Sequence, residues 1–303
     1  MKIYPMSLPQ LRSLFLLLAF VLLLSASSCT SQENAPAPLL DFEAYTFSGV
    51  TLDISGETEN ARATFWHPEG GVMYISSRNT ESVASYETDV PWDLGEARFA
   101  GSLSVSEQLR ANTGLSVAHG LFIRPDGHRL WVFNRTEMWA WDMETAWDLS
   151  TAEAIHFQDF SPIILRGHDM DFHPDGSMLF IDDRDGRAVH QYRLSEPWDI
   201  TTAAHVHTLD ISALEEEVRG IEFLFDGRLM LLLDTVRMEL MQFTLSEPWQ
   251  IATAVYHSSL DLSGETRDPR GLSISPDFCR FYITAREQGR VYTYIHTSCE
   301  KDG

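Results

Sequence analysis

Residues 173–200 read HPDGSMLFIDDRDGRAVHQYRLSEPWDI and hold two motifs that recur along the chain. The turn HPDG at His173 has counterparts in HPEG at His67, RPDG at Arg124, LFDG at Leu224 and SPDF at Ser275. Their second residues, Pro68, Pro125, Pro174, Phe225 and Pro276, are separated by 57, 49, 51 and 51 positions. The tryptophan turn EPWDI at Glu196 recurs in phase as VPWDL at Val90, AWDL at Ala146 and EPWQI at Glu247. Two independent motifs sharing one period define a repeat protein.

Each unit contains four short apolar runs. In the third they are residues 168–172, 178–182, 188–194 and 204–209, lengths that suit strands rather than helices. Asp175-Gly176 supplies a tight turn between the first two. Four strands per unit predict an all-β fold, each unit being one blade of a β-propeller. The fifth unit ends at RVYTYIHTSC without a fourth strand. The missing strand is found near the other end of the chain, where LDISGET at 52–58 repeats LDLSGET at 260–266. The expectation is a five-bladed ring closed by an N-terminal strand that completes the last blade, leaving no open edge. The alternative is six blades, with a degenerate unit hidden in residues 95–115.

Aligning the units on the turn exposes a basic pattern. Six residues before the turn position stand Arg62, His119, His168, Arg219 and Arg270. Ten residues after it stand Arg78, Arg135, Arg184, Thr235 and Arg286. The hairpin brings both sets to one mouth of the central channel. Arginine forks there suit a carboxylate, phosphate or sulfate ligand. The competing reading is structural: each arginine pairs with an acid of a neighbouring blade, such as Asp183 or Asp234. Alternation also counts against channel exposure, because His168 shares its side with Met170 and Phe172, which read as blade interior. The opposite parity, Ala63, Gly120, Asp169, Gly220 and Gly271, then Phe65, Phe122, Asp171, Glu222 and Ser273, should line the channel. Asp169, Asp171 and Glu222 form an oxygen-donor cluster of the kind that holds calcium; a cofactor-free channel is the main expectation.

Cys279 precedes and Cys299 follows the last two strands, whose hairpin turns at Gln288-Gly289. Antiparallel pairing brings the two cysteines together as a disulfide, with free thiols as the alternative. The periodic Trp92, Trp147, Trp198 and Trp249 read as corner packing within blades; the alternative is a ring of sugar-stacking platforms.

The 303 residues carry 22 Lys plus Arg against 44 Asp plus Glu, a formal charge of -22. Such acidity excludes nucleic acid as a partner. Lys2 and Arg12 precede an apolar run of eleven residues, 14–24, too short to span a bilayer but suited to a signal peptide. Cys29 follows Ser25-Ala26-Ser27-Ser28, a segment that resembles a bacterial lipobox, with Ala26 where the family usually has leucine. The resemblance implies cleavage before Cys29 and its lipidation. Thr30 lacks the aspartate of inner-membrane retention, which favours the outer membrane or cell surface. The expected organisation is a signal peptide at 1–28, a tether at 29–45, one propeller domain at 46–299 and a tail at 300–303. The chain would be a monomer, held in the cell envelope by its lipid alone.

The repeat resembles propeller families with PDG-type blades, the lactonase-like and NHL-like repeat proteins, over roughly residues 47–297. The SEPWDI turn is also similar to tandem repeats of bacterial and phage propellers. These architectures host several functions. The leading expectation is a non-enzymatic module that binds a protein or a small anionic ligand. Resemblance to calcium-dependent propeller lactonases implies the alternative of a hydrolase of lactones or esters. Its metal would sit at Asp169, Asp171 and Glu222, with His119 or His168 as general base. The third reading is a lectin.

Overall fold

The computed structural model describes residues 38–302, apart from 113, 115, 116 and 215. The signal peptide, the lipobox with Cys29 and the first part of the tether lie outside the described residues. Strand β1 (Tyr45–Asp53) comes first. Blade 1 comprises β2 (Ala61–Trp66), β3 (Val72–Ser77), β4 (Ser82–Glu87) and β5 (Arg98–Ser104). Blade 2 comprises β6 (Leu121–Ile123), β7 (Arg129–Asn134), β8 (Glu137–Met143) and β9 (Ala152–Asp159). Blade 3 holds β10 (Gly167–Phe172), β11 (Met178–Asp183), β12 (Ala188–Leu194) and β13 (Ala203–Asp210). Blade 4 holds β14 (Val218–Leu224), β15 (Leu229–Asp234), β16 (Glu239–Leu245) and β17 (Ala254–Asp261). Blade 5 follows as β18 (Pro269–Ile274), β19 (Arg280–Ala285) and β20 (Arg290–His296), and β1 is its outer strand. The fold is a five-bladed β-propeller. The segment that lengthens the first period forms a short helix, Ser106–Arg110, whose Leu109 is buried in the core.

Closure follows the sequence match residue by residue. Asp53 pairs with Arg290 on β20, as Asp261 pairs with Glu239 on β16. Beyond each strand a buried apolar residue, Ile54 or Leu262, anchors the turn. Thr58 Oγ1 donates to Ile54 O at 2.8 Å, and Thr266 Oγ1 to Leu262 O at the same distance. Residues 40–44, expected to belong to the tether, are instead folded. The Leu40 N–H donates to Gln242 Oε1 at 3.0 Å, and Phe42 packs its edge on Phe281. Their apolar side chains gain more by burial than a free linker would.

Five apolar cores lie between successive blades rather than within them; that between blades 5 and 1 joins Tyr282 and Val291 to Trp66, Met73 and Ile75. The tryptophan turns lock the corners. Each tryptophan has a positive φ, and its N–H donates to the carbonyl of the turn glycine, as Trp198 does to Gly176 at 3.0 Å. A Cβ on Gly70, Gly127, Gly176 or Gly227 would meet the tryptophan ring at 2.3–2.4 Å. The rings are thus half-buried corner plates. Blade 5 has no tryptophan turn, because its outer strand comes from the N-terminal side. Its turn position is accordingly free to carry a side chain, and Phe278 sits there at φ 58°, packed on Phe225. The blades are stitched together through the tryptophan carbonyls, which accept Tyr282 Oη at 2.6 Å and Tyr74 Oη at 2.7 Å. Cys279 and Cys299 form the disulfide, with Cα atoms 5.9 Å apart.

Candidate functional site at the channel mouth

Every inner strand carries the same irregularity at the same place. In blade 3, Gly167 faces Asp183 and Met170 faces Ile181, so His168 and Asp169 together oppose Asp182. The pairings 61 with 77 and 64 with 75, 218 with 234 and 221 with 232, and 269 with 285 and 271 with 284 show the same extra residue in blades 1, 4 and 5. In blade 2 the His119 N–H donates to Phe133 O at 2.9 Å while the Phe133 N–H donates to Gly120 O at 3.0 Å. The extra residue belongs each time to the basic position and its successor. A β-bulge re-aims its side chain and breaks strand alternation. This corrects the alternation argument: Met170 lies in the core, whereas His168, one bulge earlier, faces the channel. In blade 3 the bulge is pinned by Asp182, whose Oδ1 accepts the N–H groups of His168 and Asp169 at 2.8 and 2.9 Å.

The result is a cavity of about 210 Å³ lined by ten basic residues. All nine residues of the expected rim are there: Arg62, Arg78, His119, Arg135, His168, Arg184, Arg219, Arg270 and Arg286. Arg166 is the tenth. It stands two residues before His168, and the same alignment column holds Asn60, Val117, Glu217 and Asp268. That column, which the sequence reading passed over, also supplies counter-charge to the rim. Glu217 accepts from Arg184 and Arg219, Asp268 from Arg270 and Arg286. Asp185 lies 3.3 Å from Arg166 and 3.4 Å from Arg184. The partners expected from sequence, Asp183 and Asp234, serve the backbone instead: Asp183 accepts the N–H groups of Leu165 and Arg166, and Asp234 those of Glu216, Val236 and Arg237. Thr235, the exception in the second set, bridges to Pro269 O at 2.7 Å.

The charge is unevenly balanced. Among the described residues no carboxylate pairs with Arg62, Arg78 or Arg135. Arg62 is 4% exposed, and its Nε and one terminal nitrogen have no hydrogen-bond partner. Burial, then the charges of Arg270, Arg219, Arg286 and Arg78, push Arg62 down to about 8. Arg270 is held at about 9 by burial and Arg219, against the pull of Asp268. Glu217 shows the converse: against the upward push of its burial, hydrogen bonds from Arg184 and Arg219 bring it to about 2. His119 and His168 stack at 4.2 Å and are kept neutral, first by burial and then by the surrounding cations. Arg219 donates to His168 Nε2 at 3.1 Å, and His119 Nδ1 lies 3.2 Å from Gly167 O.

A second chamber of about 160 Å³ lies further along the same inner strands, lined in part by Phe65, Phe122, Asp169, Asp171, Glu222 and Ser273. The small residues between the chambers permit the strands to converge: a Cβ on Gly271 would stand 2.5 Å from Arg62 O. Burial drives the Asp169 and Glu222 carboxyls well above their usual range and Asp171 up to about 7. Asp171 is engaged by backbone, its two oxygens accepting the N–H groups of Phe172 and Phe223 at 2.7 and 2.8 Å. Among the described residues, no three His, Cys, Asp or Glu side chains converge as a metal-ligand set. The charge of Asp171 adds to burial in raising Glu222, as expected of two carboxyls sharing one chamber.

No protein-family model and no curated protein matches the sequence. Among solved structures, the chain is similar to a functionally unknown protein from Desulfotomaculum acetoxidans, at 12% identity over 75% of this chain and 63% of that one, with a TM-score of 0.43. It is similar to the periplasmic gluconolactonase of Pseudomonas aeruginosa at 14% identity, over 77% and 69% of the two chains, with a TM-score of 0.47. A β-propeller domain from Myceliophteria thermophila is matched at 9% identity, over 83% and 99%, with a TM-score of 0.46. The chain spans less than two thirds of the Desulfotomaculum protein.

Proposed function

We propose that the protein is a binding module that captures an anionic ligand at the arginine-lined mouth of its channel, exported and carried on the cell envelope by a lipid at Cys29. The observation that carries this reading is the buried Arg62 guanidinium, with two unpartnered nitrogens facing cations rather than a carboxylate. A buried donor left without an acceptor costs about 1–3 kcal/mol, and mutual repulsion of like charges adds to it. A pure packing role would balance the charge with an acid, as blades 4 and 5 do through Glu217 and Asp268, even though Arg219 and Arg270 keep unpartnered nitrogens of their own. A bound anion supplies the acceptors and the charge together.

Thermal denaturation with citrate, phosphate, sulfate or chloride at matched ionic strength tests this. An anion that binds only the folded form raises its stability by mass action. Sulfate and phosphate also strengthen apolar burial without binding, so the comparison is between the wild type and Arg62→Gln. The wild type should gain several degrees more than the variant in citrate and phosphate. Equal gains in the two proteins would remove the mouth as the binding site.

A further inference from the structure

The composition and asymmetry of the mouth say what class of anion it takes, an inference that rests on the reading just given. Eight guanidinium groups line the cavity, and four carboxylates, Asp185, Glu217, Asp268 and Glu287, pair with them, leaving an excess of four positive charges among the described residues. The two histidines are neutral, so they add donors or acceptors but no charge. All four carboxylates sit on blades 3 to 5. The unpaired arginines, Arg62, Arg78 and Arg135, form one arc on blades 1 and 2.

We propose that the mouth binds a small compound carrying several oxyanion groups, carboxylate or phosphate, with one group seated against the Arg62, Arg78 and Arg135 arc. A singly charged ligand leaves most of the excess in place. The cavity of about 210 Å³ gives room for a compact polyacid. Its walls are guanidinium and imidazole, with no apolar side chain among the lining residues, so an amphipathic acid has nowhere to place its tail. Planar guanidinium forks match the paired oxygens of carboxylates and phosphates.

Isothermal titration of the full-length protein with citrate, pyrophosphate, inorganic phosphate and acetate, at one ionic strength, is the test. Citrate or pyrophosphate should bind at least tenfold tighter than acetate; which of the two is tighter separates carboxylate from phosphate chemistry. Arg78→Gln combined with Arg135→Gln, at half-buried positions that keep the fold, should weaken the polyanion tenfold or more. Arg286→Gln, where Asp268 keeps Arg270, should weaken it less. Equal affinity for acetate and the polyanions overturns the class of ligand while leaving anion binding intact. Loss in Arg286→Gln but not in the double variant overturns the seating. Absence of saturable binding by every anion removes the underlying reading as well.

Discussion

The two ends of the channel are made by the same five inner strands, yet one gathers arginines and the other acids that burial pushes toward the neutral form. In blade 3 the change takes one residue: His168 lines the mouth and Asp169 the second chamber. The β-bulge places both side chains toward the axis at different depths, where regular alternation would send one of them into the core. The difference teaches how a propeller holds opposite charges close together. At the mouth, cations stay charged and require a counter-ion. In the second chamber, burial favours the neutral acid, so the same low-polarity surroundings need no partner there.

The largest way to break the comparison is to release the bulge. Asp182→Ala removes the acceptor of two buried N–H groups, those of His168 and Asp169. Leaving them unpaired should destabilise the fold by about 2–5 kcal/mol, measured by urea denaturation. An unchanged midpoint would mean that Asp182 does not pin the bulge.

The pH response sharpens the comparison, because the two ends oppose each other. Asp171 is raised to about 7, so its contribution is fully present below the unfolded carboxyl value and lost as pH climbs through 7. The mouth histidines are depressed, so their contribution is present above the unfolded imidazole value and lost as pH falls below it. Asp171→Asn should remove its own share of the first limb and leave those of Asp169 and Glu222, whose carboxyls burial also raises. Relative to that variant, the wild type should lose roughly 1–4 kcal/mol between pH 4 and 8, read from denaturation midpoints across that range. Parallel profiles for the two proteins would show that Asp171 is not protonated in the fold.

The smallest expected effect separates the two sides of the mouth. Arg62→Met removes a buried, unbalanced cation and should stabilise the ligand-free protein by about 1 kcal/mol. Arg270→Met removes a partner of Asp268, itself largely buried, and should destabilise it by a similar amount. Calorimetry in a buffer without multivalent anions distinguishes them; the same sign for both would erase the asymmetry.

The sequence by itself determined the ring. The turn period, the tryptophan period and the repeat of LDISGET in LDLSGET specify the number of blades, the strands in each and the closing strand, because every unit must solve the same local problem of turns and edges. It also placed Cys279 near Cys299 and gathered nine of the ten mouth residues, since equal positions in equal blades meet at one axis. Arg166, Glu217 and Asp268 occupy a column equally open to that alignment. What only the tertiary structure decided was orientation and balance. Alternation along HDMDF assigns His168 to the core, and a single extra residue against Asp182, invisible to a period of two, turns it to the channel. Which acids neutralise which arginines was likewise beyond the sequence: Asp183 and Asp234 look available, but backbone N–H groups claim them, and the imbalance at Arg62 emerges only once those hydrogen bonds are in place.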